Sequence, residues 1–341
     1  MAGMTIGAGE LRTRVASIFE RLDVPAEEAE IVADHLVEAD LRGVHSHGVI
    51  RVPTYVQGIK AGKINPRPKI EVVEDHGGQV VMDGDFGLGQ LTAFRANELA
   101  IERGKEHGLA AVALRRSTHC GAMAYYAIRA RAQGLIGLAI TNAGMNMTPI
   151  GGTAKIVGNN PFAIAVPTTR EWPMVLDIAT SVVAGGKLDV ARSKGESIPL
   201  GWARDKDGNP TTDPVAARAG SLEPVGGHKG LALAVMLDVL AGVLSGGRFG
   251  GMLGVDPDRG GMAQFFQTID VTRFMPMDQF TARMDELIDQ IHQSPRAPGV
   301  DRIYVAGEIE WDLESARRAS GVPLEESVFA ALEQSAREVG A

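Results

Sequence analysis

Apolar residues recur at helical spacing near the start of the chain, with Leu11, Val15, Ile18, Phe19 and Leu22 falling on one face. The pattern predicts three helices between residues 9 and 62. Pro25 suits the first turn of the second, and Gly43 its end. Two short strands, Ile70 to Val73 and Val80 to Met82, flank the turn residues Asp75-His76-Gly77-Gly78 and read as a hairpin. From residue 84 to about 270, helices alternate with apolar strands. A helix is expected from Leu91 to Glu106, a strand from Leu109 to Leu114, a helix from Ala122 and a strand from Leu135 to Thr141. Further strands are expected at Phe162 to Val166, Met174 to Asp177 and Phe265 to Ile269. A long apolar helix from Lys229 reads as a buried core element, and Val182 to Asp213, rich in Gly, Lys, Asp and Pro, reads as a long surface loop. Beyond about residue 275 the helical period returns, with Phe280, Met284, Leu287, Ile288 and Ile291 on one face and a last helix from Glu325.

This alternation is an α/β signature. The two helical ends are expected to pack together, with the α/β segment inserted between them. The expected division is 1–75 with 276–341 as a mainly helical domain, and 76–275 as the α/β domain.

Composition narrows the partners. A chain of 341 residues with 45% hydrophobic and 22% charged residues can bury a sizeable core. A net charge of −8, no long basic run and 5% aromatics give no electrostatic footprint for nucleic acid or an anionic membrane, so a small molecule is the expected partner. The longest apolar run, Leu231 to Leu244, is too short to span a bilayer and carries Asp238. Cys120 is the only cysteine, which excludes an internal disulfide. The first residues lack a signal-peptide core, and a cytoplasmic setting is expected.

Candidate chemistry begins at Ser117-Thr118-His119-Cys120-Gly121, where a histidine follows a strand and precedes a helix. Ligands of α/β proteins bind outside strand ends, and an imidazole exchanges protons near neutrality. A loop histidine with a purely structural hydrogen bond is the competing reading. A second cluster places His47, Arg51 and Tyr55 at four-residue spacing after Ser46. This is either a carboxylate clamp or a solvated helix face, since a guanidinium fork binds a carboxylate bidentately. His45 and His47, with Asp34, His35, Glu38 and Asp40 nearby, invite a metal, but the spacing does not bring both rings together on a helix, and no metal is expected. Gly84 to Gly89 lacks the GxGxxG fingerprint and reads as a tight turn. Gly226-Gly227-His228-Lys229-Gly230 precedes the long helix, where glycines and a lysine suit an anion such as a cofactor phosphate. A flexible lead-in with a solvated lysine is the alternative. Asp177 and Thr141 each close an apolar strand and are candidate ligand walls or helix caps.

These motifs together resemble the type 2 malate/L-lactate dehydrogenase family, which includes sulfolactate, ureidoglycolate and diketogulonate enzymes and cyclic imino-acid reductases. The resemblance rests on Arg42 to Gly48 with Arg51 and Tyr55, Asp83-Gly84, Gly87-Leu88-Gly89-Gln90, Ser117-Thr118-His119 with Gly121, and Asn160-Pro161. It continues in Leu176 to Ser181, Leu200 to Ala203 and Gly227 to Gly230. It implies a non-Rossmann, sulfolactate dehydrogenase-like α/β fold, NAD or NADP as cofactor, a small carboxylate substrate and a homodimer or higher homo-oligomer. It further implies hydride transfer at C2 of a 2-hydroxy or 2-oxo acid, or of a cyclic imino acid, with a non-catalytic nicotinamide-binding protein as the remaining alternative. By the same resemblance, His119 is the acid/base, with His47, Arg51 and Asp177 in the catalytic group. Ser46, His47, Arg51 and Tyr55 face substrate, and Thr141, Asp177, Ile178, Ala179, His228 and Lys229 contact cofactor. Cys120 replaces an aromatic residue common after the histidine, and Ala122-Met123-Ala124 is less small than usual, which bears on pocket size.

Overall fold

The computed structural model describes residues 4–254 and 261–341. The chain opens with strand β1 (Met4–Ile6) and helices α1 (Ala8–Glu20), α2 (Ala26–Leu41) and α3 (Val52–Lys60), then the hairpin β2 (Glu71–Asp75) and β3 (Gln79–Asp83). Next come α4 (Gly89–His107), β4 (Leu109–Ser117), α5 (Ala124–Ala132), β5 (Leu135–Thr141), β6 (Phe162–Val166) and β7 (Met174–Ile178). A small unit follows: α6 (Gly185–Lys194), β8 (Ala203–Arg204), β9 (Pro210–Thr211), α7 (Pro214–Ala219) and β10 (Ser221–Leu222). The remainder is α8 (His228–Asp238), β11 (Met262–Asp270), α9 (Met277–His292), α10 (Glu308–Ser320), β12 (Val322–Leu324) and α11 (Glu326–Val339).

The two chain ends meet. Leu11, Val15, Ile18 and Phe19 of α1 share one core with Val32 and Leu36 of α2, Val52 and Val56 of α3, and Leu332 and Ala336 of α11. β1 pairs antiparallel with β12, a two-stranded closure too short to read from sequence. The expected helical face on α9 does not join this core. Only Ile288 of α9 is buried, and Arg170 between β6 and β7 pairs with its Asp285 and Asp289, so the helix leans on the α/β body. The division expected at residue 75/76 falls in the β2–β3 turn, and β2 lies in the central sheet.

That sheet has seven strands in the order β2-β3-β4-β11-β5-β6-β7. β3 and β4 run parallel and every other neighbouring pair antiparallel, unlike a doubly wound dinucleotide fold. Ala93, Ala96 and Ala100 of α4, Tyr126 and Ala127 of α5 and Met123 just before it cover one face. Leu237 of α8 and Ala241 just beyond it cover the other. Alanine-rich faces let these helices approach the sheet closely.

Two sequence expectations need correction. Val182 to Asp213 is not a long loop. It contains α6 and two strands of a three-stranded sheet, β10-β8-β9, over a core of Leu188, Ala191, Ile198 and Ala203. Two-residue strands carry no readable alternation, and glycine and proline dominate the composition. The helix from residue 228 is buried on one side only. It continues through a π-helical turn (Val239–Val243), and its outer face exposes Leu233, Met236, Val239, Val243 and Leu244.

Candidate active site

Strand register places Asp83, Ser117, Thr141, Phe162 and Ile178 along one edge of the sheet, because each stands at the end of its pairing with the next strand. His119 leaves that edge two residues beyond β4. Its approach is fixed by strained backbone. Asp85, Phe86 and Arg116 all take left-handed φ, between 46° and 56°. The Phe86 amide donates to the Arg116 carbonyl at 2.6 Å, and Asp83 accepts from Arg116 and Arg115. Such strain costs about 1–3 kcal/mol per residue and persists where neighbours over-determine it. The turn read from Gly84 to Gly89 therefore serves the site. The Thr118 hydroxyl donates to the Gly87 carbonyl at 2.9 Å, and a Cβ on Gly89 would lie 2.3 Å from the His119 carbonyl oxygen. Only glycine lets the start of α4 come so near.

The second cluster comes from the helical domain. Asp40, buried at the end of α2, accepts from the Val49 amide and pairs with His45, each at 2.8 Å. Its carboxylate packs against Gly48, where a Cβ would sit 2.2 Å away. This shapes two 3-10 turns (His45–His47 and Val49–Arg51) that lead into α3. Sequence offers Asp40 only as an acidic neighbour in the His45 and His47 metal reading, because its partners here are five and nine residues along, outside a helical period.

The clusters converge. The Tyr55 hydroxyl and His119 Nδ1 are 2.7 Å apart, and Gln90 Nε2 donates to the same hydroxyl at 2.7 Å. The His47 and His119 rings stack with centroids 5.4 Å apart, and Ser46 Oγ lies 2.8 Å from His47 Nδ1. Arg51 Nε donates to the Ser46 carbonyl at 2.6 Å, and no carboxylate among the described residues pairs with its guanidinium. Thus Ser46, His47, Arg51, Tyr55 and His119, separate in sequence, form one group. Gln90 has no charge or period to mark it and gained no role from sequence.

Burial, then the neighbouring His47 and Arg51 charges, lowers the His119 pKa to about 3. Burial and Arg51 lower His47 to about 4. Both rings are therefore neutral near pH 7. Burial raises the Tyr55 phenol well above its ordinary range, so it stays protonated.

The remaining candidates line the same sheet edge. The Thr141 hydroxyl is linked to the Thr118 carbonyl through the buried amide of Gln264, at 3.2 and 3.3 Å. Asp177 makes no hydrogen bond to His119. Its Oδ2 accepts from the Ala124 amide at 2.7 Å and so caps the start of α5. Surrounding protein raises its pKa to about 6, against the pull of the Ala124 amide and Arg42, although its side chain still presents surface to solvent. Ile178 is exposed and Ala179 half-buried beside it. His228 and Lys229 are exposed at the start of α8. The Val225 amide bonds the Thr180 carbonyl at 2.8 Å and brings that start next to the end of β7. Gly226 and Gly227, at φ 62° and 64°, leave the first turn of α8 open and without a side-chain cap. That open turn with Lys229 fits an anionic cofactor group. Among the described residues no group of three potential metal ligands occurs, and no helix is long and apolar enough to cross a membrane.

Comparisons with known proteins agree with this arrangement. Residues 6–333 match the sequence model of the family described as malate/L-lactate dehydrogenase. The chain is 40% identical over 335 residues to a malate dehydrogenase of Pyrococcus horikoshii, covering 96% of this chain and 93% of that one. The solved sulfolactate dehydrogenase of Methanocaldococcus jannaschii superposes with a TM-score of 0.92 at 37% identity, covering 99% and 98%. A δ1-piperideine-2-carboxylate reductase from Pseudomonas syringae gives 0.88 at 29% identity, covering 97% and 99%. The chain belongs to the malate/L-lactate dehydrogenase family of oxidoreductases.

Proposed function

We propose that the protein is an NAD- or NADP-dependent dehydrogenase of a small 2-hydroxy acid, working reversibly on the 2-oxo acid, with His119 as acid/base. The observation that carries this is His119 held at Nδ1 by Tyr55, next to an Arg51 guanidinium without a carboxylate partner among the described residues. With Nδ1 engaged, Nε2 is the nitrogen that exchanges a proton with substrate. During oxidation Nε2 takes the hydroxyl proton, and during reduction the imidazolium returns it to the carbonyl oxygen, a contribution of about 10²- to 10⁴-fold. Arg51 binds the substrate carboxylate, with Ser46, His47 and Tyr55 bounding the same pocket. The low pKa keeps His119 ready as a base near neutral pH. When bound, the nicotinamide supplies or takes up the hydride at C2. Thr141, Asp177, Ile178 and Ala179 would contact it, and the open start of α8 with His228 and Lys229 would hold its phosphates.

A second reading, reduction of a cyclic imino-acid carboxylate, is favoured by the likeness to the piperideine-carboxylate reductase. The same Arg51 would hold the carboxylate, and an already protonated iminium needs no proton from a histidine of low pKa. Steady-state assays of both reduced cofactors against 2-oxo acids and cyclic imino acids, ranked by kcat/KM, separate the two. Turnover of the oxo acids that falls to background in His119→Gln supports the dehydrogenase. Turnover confined to imino acids selects the reductase, and His119→Gln with unchanged oxo-acid turnover refutes the acid/base role.

The chain also acts as a homo-oligomer in this reading. A helix apolar on all sides belongs in an interior. The outer face of α8, with Met236 and Leu244 each 57% exposed, extends toward Phe249 and Met252 and suits a second copy of the chain. The lone, buried Cys120 is compatible with a cytoplasmic setting.

A further inference from the structure

The hydrogen-bond chain behind His119 contains a choice that the proposed reaction must resolve. Three groups stand in line: the Gln90 carboxamide, the Tyr55 hydroxyl and His119 Nδ1, each step 2.7 Å. Gln90 is fully buried and Tyr55 is 3% exposed, so water does not complete the line. Tyr55 stays protonated and has one proton to donate. In the orientation described above, Gln90 Nε2 donates to the Tyr55 oxygen, so Tyr55 donates to Nδ1 and a neutral His119 carries its proton on Nε2. In that tautomer the substrate-facing nitrogen has no lone pair and cannot act as a base. If instead the Gln90 oxygen accepts from Tyr55, the Tyr55 oxygen accepts from Nδ1–H, and Nε2 is free to take a proton.

The structure contains the means to change between these states. Gln90 Oε1 is buried and has no hydrogen-bond partner among the described residues. The far end of the amide is therefore not anchored, and the two ends of a carboxamide have nearly the same shape. Turning the amide over sacrifices no bond to the rest of the protein. We propose that Gln90 is a positioning residue that selects the Nδ1–H tautomer of His119 by accepting the Tyr55 hydroxyl proton through Oε1. This rests on the proposed acid/base role of His119 and extends it to a buried amide with no access to substrate. When Nε2 then takes a substrate proton, the imidazolium keeps Nδ1–H on Tyr55 and nothing behind it has to move. Loss of the Nε2 proton to water restores the starting state.

Gln90→Met keeps the length of the side chain and removes its acceptor. The Tyr55 hydroxyl can then be satisfied only by donating to Nδ1, which favours the inactive tautomer. An orphaned buried donor shifts such an equilibrium by about 5- to 150-fold. The expected result is a kcat lower by about 10- to 100-fold, with the KM of the acid changed less than about twofold, because Gln90 does not touch it. Gln90→Glu, which keeps an acceptor at the same place, should recover most of that loss. The decisive readout is the pair of imidazole 15N shifts of His119 in histidine-labelled resting protein near pH 8, assigned by their absence in His119→Gln. The wild type and Gln90→Glu should carry the proton on Nδ1, and Gln90→Met on Nε2. Protonated Nε2 in the wild type, an unchanged tautomer in Gln90→Met, or a Gln90→Glu as impaired as Gln90→Met would overturn the proposal. The spectra need no substrate, so a protein inactive on every hydroxy acid would sink the functional reading while leaving Gln90 to be judged by its tautomer effect.

Discussion

Lowering the pH from 7 to 5 should destabilise the fold through His35, a buried histidine behind the site. His35 lies on α2 with its ring 4.6 Å from Tyr125 and 5.5 Å from Tyr126, and its Nε2 is 3.2 Å from the Ala122 carbonyl. Its Nδ1 has no hydrogen-bond partner among the described residues, and Gly121 is pressed so close that a Cβ there would be 2.1 Å from the ring. Burial lowers its pKa to about 3, against an ordinary value of about 6.5 in the unfolded chain. Between those values the unfolded chain binds the extra proton, so stability is lost as pH falls below about 6.5 and the full penalty is reached below about 3. At pH 5, about 1.5 units below the unfolded pKa, proton binding favours the unfolded chain by roughly 2 kcal/mol for this one group. His119 and His47 shift in the same direction, whereas Asp177, raised to about 6, opposes them. His35→Gln isolates the term, since glutamine can donate to Ala122 and does not titrate. Urea unfolding at pH 7 and pH 5, at equal protein concentration, should give a wild-type loss larger than that of His35→Gln by about 2 kcal/mol. Equal losses would show that His35 does not carry the penalty its burial implies.

Three shorter predictions address the site and the assembly. Arg51→Lys keeps the charge but removes the fork, so KM for the acid should rise about tenfold or more with a smaller change in kcat, and an unchanged KM would remove Arg51 from carboxylate binding. Gly89→Ala must displace the His119 carbonyl, and an error of about 1 Å at a reacting group can cost about 10²-fold, so kcat should fall by at least tenfold. Thermal unfolding run beside it will tell displacement from collapse, and full activity would mean that the close approach is dispensable. Met236→Glu on the outer face of α8 should split the oligomer in sedimentation, whereas a wild type that sediments as a monomer would refute the buried-face reading.

The parts of this molecule legible in sequence are those whose signal is local. Strand β5 runs from Leu135 to Thr141 in both accounts because a short apolar run ends in polar residues and a turn. The helices of the amino-terminal core follow from spacing alone. The small sheet β8–β10 was not legible, because two-residue strands exist only through their pairing. The outward face of α8 was read as core, since apolar residues look alike whether the covering surface comes from the same chain or another. In the site, charge and ring chemistry marked His47, Arg51, Tyr55 and His119. Periodicity linked the first three, and the resemblance supplied their tie to His119. Gln90 and Gln264 carry no legible role in sequence, and Asp40 only that of a neighbour in a metal reading, because each acts through a partner distant in sequence or outside any helical period.

Asp177 is the residue for which geometry and expectation part most usefully. Sequence leaves Asp177 as a ligand wall or a helix cap, and the resemblance sets it in the catalytic group beside His119; here the Nδ1 that a supporting carboxylate would bind is taken by Tyr55, and Asp177 Oδ2 accepts from the Ala124 amide. That amide opens α5, and the segment from Ser117 to Met123 that carries His119 is strung between β4 and this capped helix end. Any influence on His119 then passes through the position of the backbone, and the charge matters less than the oxygen. Asparagine offers the same oxygen at the same reach, whereas alanine offers none, and loss of a cap costs about 0.5–2 kcal/mol. Asp177→Asn should therefore keep its unfolding free energy within about 0.5 kcal/mol of wild type, and Asp177→Ala should lose about 1 kcal/mol with a lower kcat. If the asparagine variant is as stable as the wild type yet fails to bind or turn over with a reduced nicotinamide, the carboxylate has a direct electrostatic task and the capping account is insufficient. Fluorescence titration of the cofactor alongside urea unfolding separates these outcomes, because a cap moves stability and a charged contact moves affinity.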